Sequence, residues 1–204
     1  VADTCKIKNK FSYGFNKTNS FVCHILEETE GYTKFSVAHN GEILADFVTT
    51  MTGRYNILNA TAVVAQAFAN QIPLDAVMKG LSTFSGVKRR QDVLGEPGGI
   101  LVIEDFAHHP TAVGLVIEGF KTVYPKRRLL VAFEPKNATS RRNIFQKDYV
   151  KKLGLADRVY IGPSPEDKRI AEGQRMNVKD LAHEIGSKAG AFDSNEDLLS
   201  AMTR

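Results

Sequence analysis

The sequence predicts an α/β chain, a mostly parallel sheet with flanking helices, preceded by an antiparallel β tract and a helical tail. Three observations carry this reading. Strand-like and helix-like apolar patterns alternate from Ile100 onward. The first fifty residues instead hold short β-branched and aromatic runs. The 204 residues are 43% hydrophobic and 25% charged, which supplies a sizeable core and excludes collagenous, coiled-coil and largely disordered chains.

The runs 21–26, 34–38 and 43–49 read as strands, and His39-Asn40-Gly41 joins the last two, because Asn-Gly supplies the positive φ angles of a tight hairpin turn. From Asn56 the period lengthens. Ile57, Ala60, Val63, Val64, Ala67 and Phe68 recur at three and four residues and make one apolar helical face. Pro73, a favoured first-turn residue, opens a second helix to about Leu81. Thr83 to Lys88 reads as a linker between domains. After it come a buried-type strand 100–105, a helix 110–123, a strand 128–133, a helix 143–153, a strand 158–162 and a helix 178–187. Ser194, with Asp197 three residues on, resembles a capping box that opens a last helix. Such βαβ alternation predicts right-handed crossovers on a parallel sheet, with ligands beyond the carboxyl ends of the strands.

Charge narrows the partners. The net charge of +4 is mild, but Lys121 to Lys152 holds ten basic residues against Glu134 and Asp148, an excess of eight. Two cysteines, Cys5 and Cys23, without CxxC spacing or clustered histidine, indicate neither a disulfide framework nor a structural zinc site, and fit a reducing cytoplasm. No stretch approaches the roughly 18 apolar residues of a membrane span. A chain that begins with Val1 is expected to be a piece of something longer.

Four constellations can carry chemistry. In Gly53 to Ala60, Asn56 and Asn59 share a face of the first helical turn, and an amide offers the donor and acceptor that suit the edge of adenine. Spacing alone favours a helix cap at Asn56 and a solvated Asn59. Ser85 to Gln91 clusters Lys88, Arg89 and Arg90 at the supposed junction, where guanidinium forks match phosphate oxygens and a solvated linker is the other reading. Glu104 to Thr111 places Asp105, His108 and His109 between a strand and a helix start, where an acid can accept from ribose hydroxyls and imidazoles can bind phosphate or shuttle protons. Adjacent histidines seldom converge on one ion, so no metal site is expected from them. Glu134 to Arg142 follows the next strand and carries Asn137, Ser140, Arg141 and Arg142, an inventory for a polyanionic substrate or for a capped polar turn.

Taken in order, these motifs resemble the Mur ligases. GRYNILNATAVVA is similar to the family's Gly-x-His-Asn-x-x-Asn-x-x-Ala element, with Tyr55 where histidine is usual. The resemblance implies that Asn56 and Asn59 contact adenine, that Arg90 of GVKRR contacts ATP, and that Asp105 lies near the nucleotide. It covers about Tyr13 to Ala201 and implies that residues 1–85 are the end of the central ATPase domain, and 86–204 a Rossmann-like C-terminal domain lacking its last strand. The remaining N-terminal and central domains would belong to the same longer chain.

EDFAHHPTAV and FEPKNATSRR look nearest to the family member that joins UDP-N-acetylmuramate to the murein tripeptide L-alanyl-γ-D-glutamyl-meso-diaminopimelate. The L-alanine-adding member is the alternative; it shares His-His-Pro-Thr but usually has Gly-Val-Gly-Arg-Arg where this chain has GVKRR. The implied reaction forms an acyl phosphate from ATP and lets an amine attack it, with Arg90, His108 and His109 as catalytic groups and Asn137, Ser140, Arg141 and Arg142 gripping the acceptor. No Gly-x-x-Gly-Lys-Thr/Ser phosphate loop occurs in these residues, the resemblance implies that the Mg²⁺ ligands also lie outside them, and the piece alone is expected to be inactive. A non-catalytic nucleotide- or nucleic-acid-binding module is the rival class, and the aromatic stacking pattern of single-strand binders is missing from it. No nucleic-acid or membrane partner is expected.

Overall fold

Alternation in the first fifty residues becomes a sheet because every second side chain points inward. In the computed structural model, which describes residues 10–165 and 168–203, β1 (Tyr13–Gly14), β2 (Phe21–Glu28), β3 (Thr33–His39) and β4 (Glu42–Thr49) form a four-stranded sheet in that order. β1 runs parallel to β2, and the other pairs are antiparallel. The predicted Asn-Gly turn joins β3 to β4, with Asn40 at φ 52° and Gly41 at φ 90°, the positive angles a tight hairpin demands. Phe21, Cys23, Phe35, Val37 and Phe47 are buried beneath α1 (Arg54–Ala69) and α2 (Leu74–Thr83), whose Ile57, Val64, Val77 and Leu81 complete the core. Cys23 is a free thiol pushed up by burial; Cys5 lies outside the described residues.

The apolar run at residues 100–105 departs from expectation. β5 (Asp92–Gly95) and β6 (Val102–Glu104) pair with each other as an antiparallel two-stranded ribbon, and Ile100 is 69% exposed. The run is therefore not the buried first strand of the parallel sheet. Its partner is the preceding strand, Val93 opposite Ile103 and Gly95 opposite Val102, turned back at Pro97-Gly98-Gly99, where Gly98 (φ 59°) and Gly99 (φ 79°) take left-handed angles. The described residues up to Glu104 form one compact unit, and those from Asp105 a second.

The second unit is the predicted α/β alternation: α3 (Pro110–Val123), β7 (Leu130–Phe133), α4 (Gln146–Leu153), β8 (Arg158–Ile161), α5 (Val178–Ile185), β9 (Ala189–Ala191) and α6 (Asn195–Met202). β7, β8 and β9 make a parallel sheet in that order, with Val131 opposite Val159 and Val159 opposite Ala189. Val113, Ile117, Phe133, Tyr149, Leu153, Val159, Ile161 and Leu181 are its buried core. Helix starts follow their caps. His109 caps α3 ahead of Pro110, Asn177 accepts from Lys179 N and Asp180 N, and Ser194 accepts from Asp197 N at 3.0 Å as predicted. Among the described residues no helix is long and apolar enough to cross a membrane.

The basic excess of this unit is partly committed to its own scaffold. Lys152 reaches Glu118 at 3.1 Å, bridging α4 and α3, and Lys121 reaches Asp157 at 2.8 Å and the Leu155 carbonyl at 3.2 Å. The backbone N–H of Leu129 donates to Asp157, and together with the Lys121 ammonium it holds that carboxyl below the usual carboxylate value. A depressed folded-state value means that its stabilisation is complete above the unfolded value of about 3.9 and is lost as pH falls through the lower folded one. Denaturant unfolding of Asp157→Asn and wild type is therefore expected to differ at pH 6, with the gap closing below about pH 3.9. A gap independent of pH would mean that the carboxylate charge is not what stabilises this corner.

Candidate functional site

The predicted residues divide between the two units. On the first, Gly53 caps α1 with its backbone and donates its N–H to Glu28 Oε1 at 2.9 Å. Asn56 is therefore not the cap that spacing favours. Its Nδ2 donates to the Thr52 carbonyl at 2.8 Å and to Gln91 Oε1 at 3.0 Å, and its Oδ1 accepts from Asn59 Nδ2 at 3.5 Å. Gln91 also meets both the backbone and the hydroxyl of Thr52. Asn56 is half-buried and held, whereas Asn59 is exposed one turn further on.

Gln91 ties Asn56 to the neighbouring Arg90 across 35 positions of sequence. The turn carrying Arg90 closes with Arg90 N donating to the Val87 carbonyl at 2.9 Å. Arg89 is pinned, its N–H to Asp92 at 3.2 Å and its guanidinium to Glu104 at 3.2 Å, while the Arg90 side chain is exposed. Asn56, Asn59 and Arg90 thus share one unit. An exposed carboxamide beside a held one, with a projecting guanidinium on the same knot, fits a nucleoside phosphate.

On the second unit, Asp105 Oδ1 accepts from Ala107 N at 2.7 Å and shapes the turn after β6. The two histidines differ in tautomer. His108 Nδ1 faces the Phe106 carbonyl at 3.0 Å and so carries the proton, which leaves Nε2 as the acceptor. His109 Nδ1 accepts from Thr111 N at 3.3 Å and is occupied as the cap of α3, with its ring edge-on to Phe145. Of the pair, His108 is the one placed to take a proton.

The loop after β7 is built by two of its own predicted binding residues. Asn137 N donates to Ser140 Oγ at 3.2 Å, Ser140 N donates to Asn137 Oδ1 at 3.1 Å, and Ser140 is fully buried. Met176 N donates to the Arg141 carbonyl at 2.8 Å, so the loop is also fastened to the segment before α5. Asn137 and Ser140 shape the loop, and Lys136 and Arg142 are exposed on it.

Sequence reading missed Gln91, Thr52, Glu28 and Tyr149. The Tyr149 hydroxyl, on α4, donates to the His108 carbonyl, and burial pushes its pKa up to about 12. Its helical spacing to Leu153 marks it only as core. Gln91 had no signal beyond adjacency to Arg90. Among the described residues no group of three or more His, Cys, Asp or Glu is arranged to hold a metal ion.

A family described as Mur ligase, glutamate ligase domain, matches residues 89–203. UDP-N-acetylmuramate–L-alanine ligase of Lactobacillus delbrueckii subsp. bulgaricus is 36% identical over 197 residues, covering 96% of this chain and 44% of its own. The enzyme of the same name from Lactobacillus acidophilus is 37% identical over 190 residues, covering 93% and 43%. The chain thus spans less than half the length of these relatives. Among solved structures, the UDP-N-acetylmuramate-alanine ligase of Thermotoga maritima shares the fold with a TM-score of 0.76 at 23% identity, over 93% of this chain and 41% of its own. A murein peptide ligase from Psychrobacter arcticus shares it with a TM-score of 0.59 at 24% identity, over 94% and 40%.

Proposed function

This chain belongs to the Mur ligase family, and from that premise we propose that it is the base-binding and acceptor-binding part of an ATP-dependent ligase that joins UDP-N-acetylmuramate to L-alanine in the cytoplasm. The observation that carries the reading is the 36% identity, over 96% of the chain, to an enzyme named for that reaction. The tripeptide-joining member, nearest by the motifs EDFAHHPTAV and FEPKNATSRR, shares the fold at 24% identity.

ATP supplies the phosphoryl group that turns the substrate carboxylate into an acyl phosphate, and orthophosphate leaves when the amine attacks. The residues of this chain serve that exchange by position and charge. Asn59, braced by Asn56, offers its exposed amide to the adenine edge. Arg90 projects its guanidinium toward the phosphates, where two anions must approach each other. Asp105 accepts from the ribose. His108 Nε2 takes a proton from the incoming amine, with Nδ1 held by the Phe106 carbonyl. Arg141 and Arg142 bind the carboxylate of the amine substrate.

One observation favours the tripeptide as a second reading. The loop after β7 carries Arg141 and Arg142, two guanidinium groups where alanine offers a single carboxylate, while Lys136 is paired with Glu134 at 3.4 Å. The full-length enzyme, given UDP-N-acetylmuramate and ATP, is expected to release phosphate with L-alanine; release with the tripeptide alone selects the second reading, and release with neither removes the ligase assignment. In either case Arg141→Ala and Arg142→Ala are each expected to raise the KM of the amine substrate about tenfold or more. An unchanged KM would take the loop out of the acceptor site.

A further inference from the structure

The turn that carries Arg90 is anchored by the Gln91 amide, which meets Thr52 and Asn56 at the start of α1. Gln91 Oε1 accepts from Thr52 N at 3.2 Å, Thr52 Oγ1 at 3.4 Å and Asn56 Nδ2 at 3.0 Å, while Nε2 donates to the Thr52 carbonyl at 3.1 Å. Reversing this amide would set its N–H groups against two N–H donors and its oxygen against a carbonyl, so one orientation is selected. Asn56 is fixed in the same way, because its Nδ2 serves the Thr52 carbonyl and Gln91 together. Its oxygen is then the group turned toward Asn59. The backbone bears a cost to reach this arrangement. Arg89 (φ 62°) and Gln91 (φ 52°), on either side of Arg90, both take left-handed angles unfavourable for side-chain-bearing residues. Strain of this kind persists only where surrounding contacts over-determine it, and the Gln91 amide supplies such contacts.

We propose that Gln91 is a positioning residue for the nucleotide site. It fixes the orientation of the Asn56 carboxamide, and through it that of Asn59, so that the pair presents one donor and acceptor pattern to a nucleobase, and it aims the adjacent Arg90. This inference rests on the reading of Asn56 and Asn59 as base contacts. Its chemical consequence is base selectivity. Adenine offers an exocyclic N–H donor where hypoxanthine offers a carbonyl acceptor, and a clamped amide distinguishes the two while a rotating one does not.

The test compares ATP with inosine triphosphate in the full-length enzyme carrying Gln91→Met, Gln91→Glu, Asn56→Ala or Asn59→Ala. Gln91→Met is expected to erase about tenfold or more of the preference for ATP in kcat/KM. In Gln91→Glu a carboxylate oxygen replaces Nε2 opposite the Thr52 carbonyl, so the KM for ATP rises at neutral pH and recovers as lower pH protonates the new carboxyl into a donor. Equal losses with both nucleotides and no recovery at low pH would make Gln91 merely structural and overturn the proposal. If the asparagine variants act and Gln91→Met leaves the preference intact, this inference alone fails. If neither asparagine variant changes the KM for ATP or the base preference, the base-site reading fails and takes this inference with it.

Discussion

Full-length enzyme carrying Arg90→Ala is expected to turn over about a hundredfold to a thousandfold more slowly than wild type, the scale for losing one preorganised contact to developing charge. The expectation comes from the contrast within one turn. Arg89 is engaged with Glu104 and Asp92, and Gln91 with Thr52 and Asn56, so both neighbours serve the scaffold while Arg90 extends into solvent. A contact made mainly in the transition state lowers kcat, whereas one made equally to bound ATP raises KM alone. Single-turnover and steady-state rates together separate the two cases. Arg89→Ala is the internal comparison: its pair with Glu104 is solvent-exposed on both sides, and such pairs contribute little. A loss under about tenfold for Arg90→Ala would return that residue to the scaffold.

The second large effect is expected at Tyr149. Its side chain, on α4, is fully buried and packed near Phe133 of β7, with its hydroxyl on the His108 carbonyl. Tyr149→Ala is expected to cost about 3–5 kcal/mol, the range for emptying an aromatic site in a packed core. Tyr149→Phe keeps the ring and costs about 1 kcal/mol, the scale for losing one part-buried hydrogen bond. The hydroxyl also sets a pH limit. With its pKa raised to about 12 in the fold, the neutral phenol stabilises fully below the unfolded value near 10. That contribution fades as pH rises through about 12. Denaturant unfolding of wild type and Tyr149→Phe at pH 8 and pH 11.5 reads this directly: the gap should narrow at the higher pH. A gap that widened would mean that the phenol is not held neutral.

Patterns that repeat locally were legible in the chain. The strands around the Asn40-Gly41 turn, the helices opening near Asn56 and Pro73, and the capping pair Ser194 and Asp197 all rest on interactions within a few residues of one another. What escaped was short or distant. β1 has two residues and β9 is Ala-Gly-Ala, too small to carry a β-branched signal. The ribbon of β5 and β6 was hidden because the run at residues 100–105 is apolar enough to read as buried, and only the Gly-Glu-Pro-Gly-Gly turn before it discloses a partner on its other side.

The site divides along the same line. Motifs such as GRYNILNA and GVKRR supplied the residue types proposed for a nucleotide. Which of them are held and which are presented was not readable there. That distinction depends on Gln91 meeting Asn56 and on Tyr149 meeting His108, contacts that join residues 35 and 41 positions apart. Asn137 and Ser140 show the converse. Their residue types suited a ligand, and the structure uses them three residues apart to close their own loop.

That closed loop bears on the thermodynamics of capture. A segment that stiffened only on contact would divert part of its gross interaction energy into lost chain entropy. Between β7 and α4 this ordering is already complete in the folded chain, since Asn137, Ser140 and the link from Met176 hold the backbone. Under the proposed acceptor role, an arriving carboxylate would meet guanidinium-bearing positions on a backbone already held, and more of the attraction would survive as affinity.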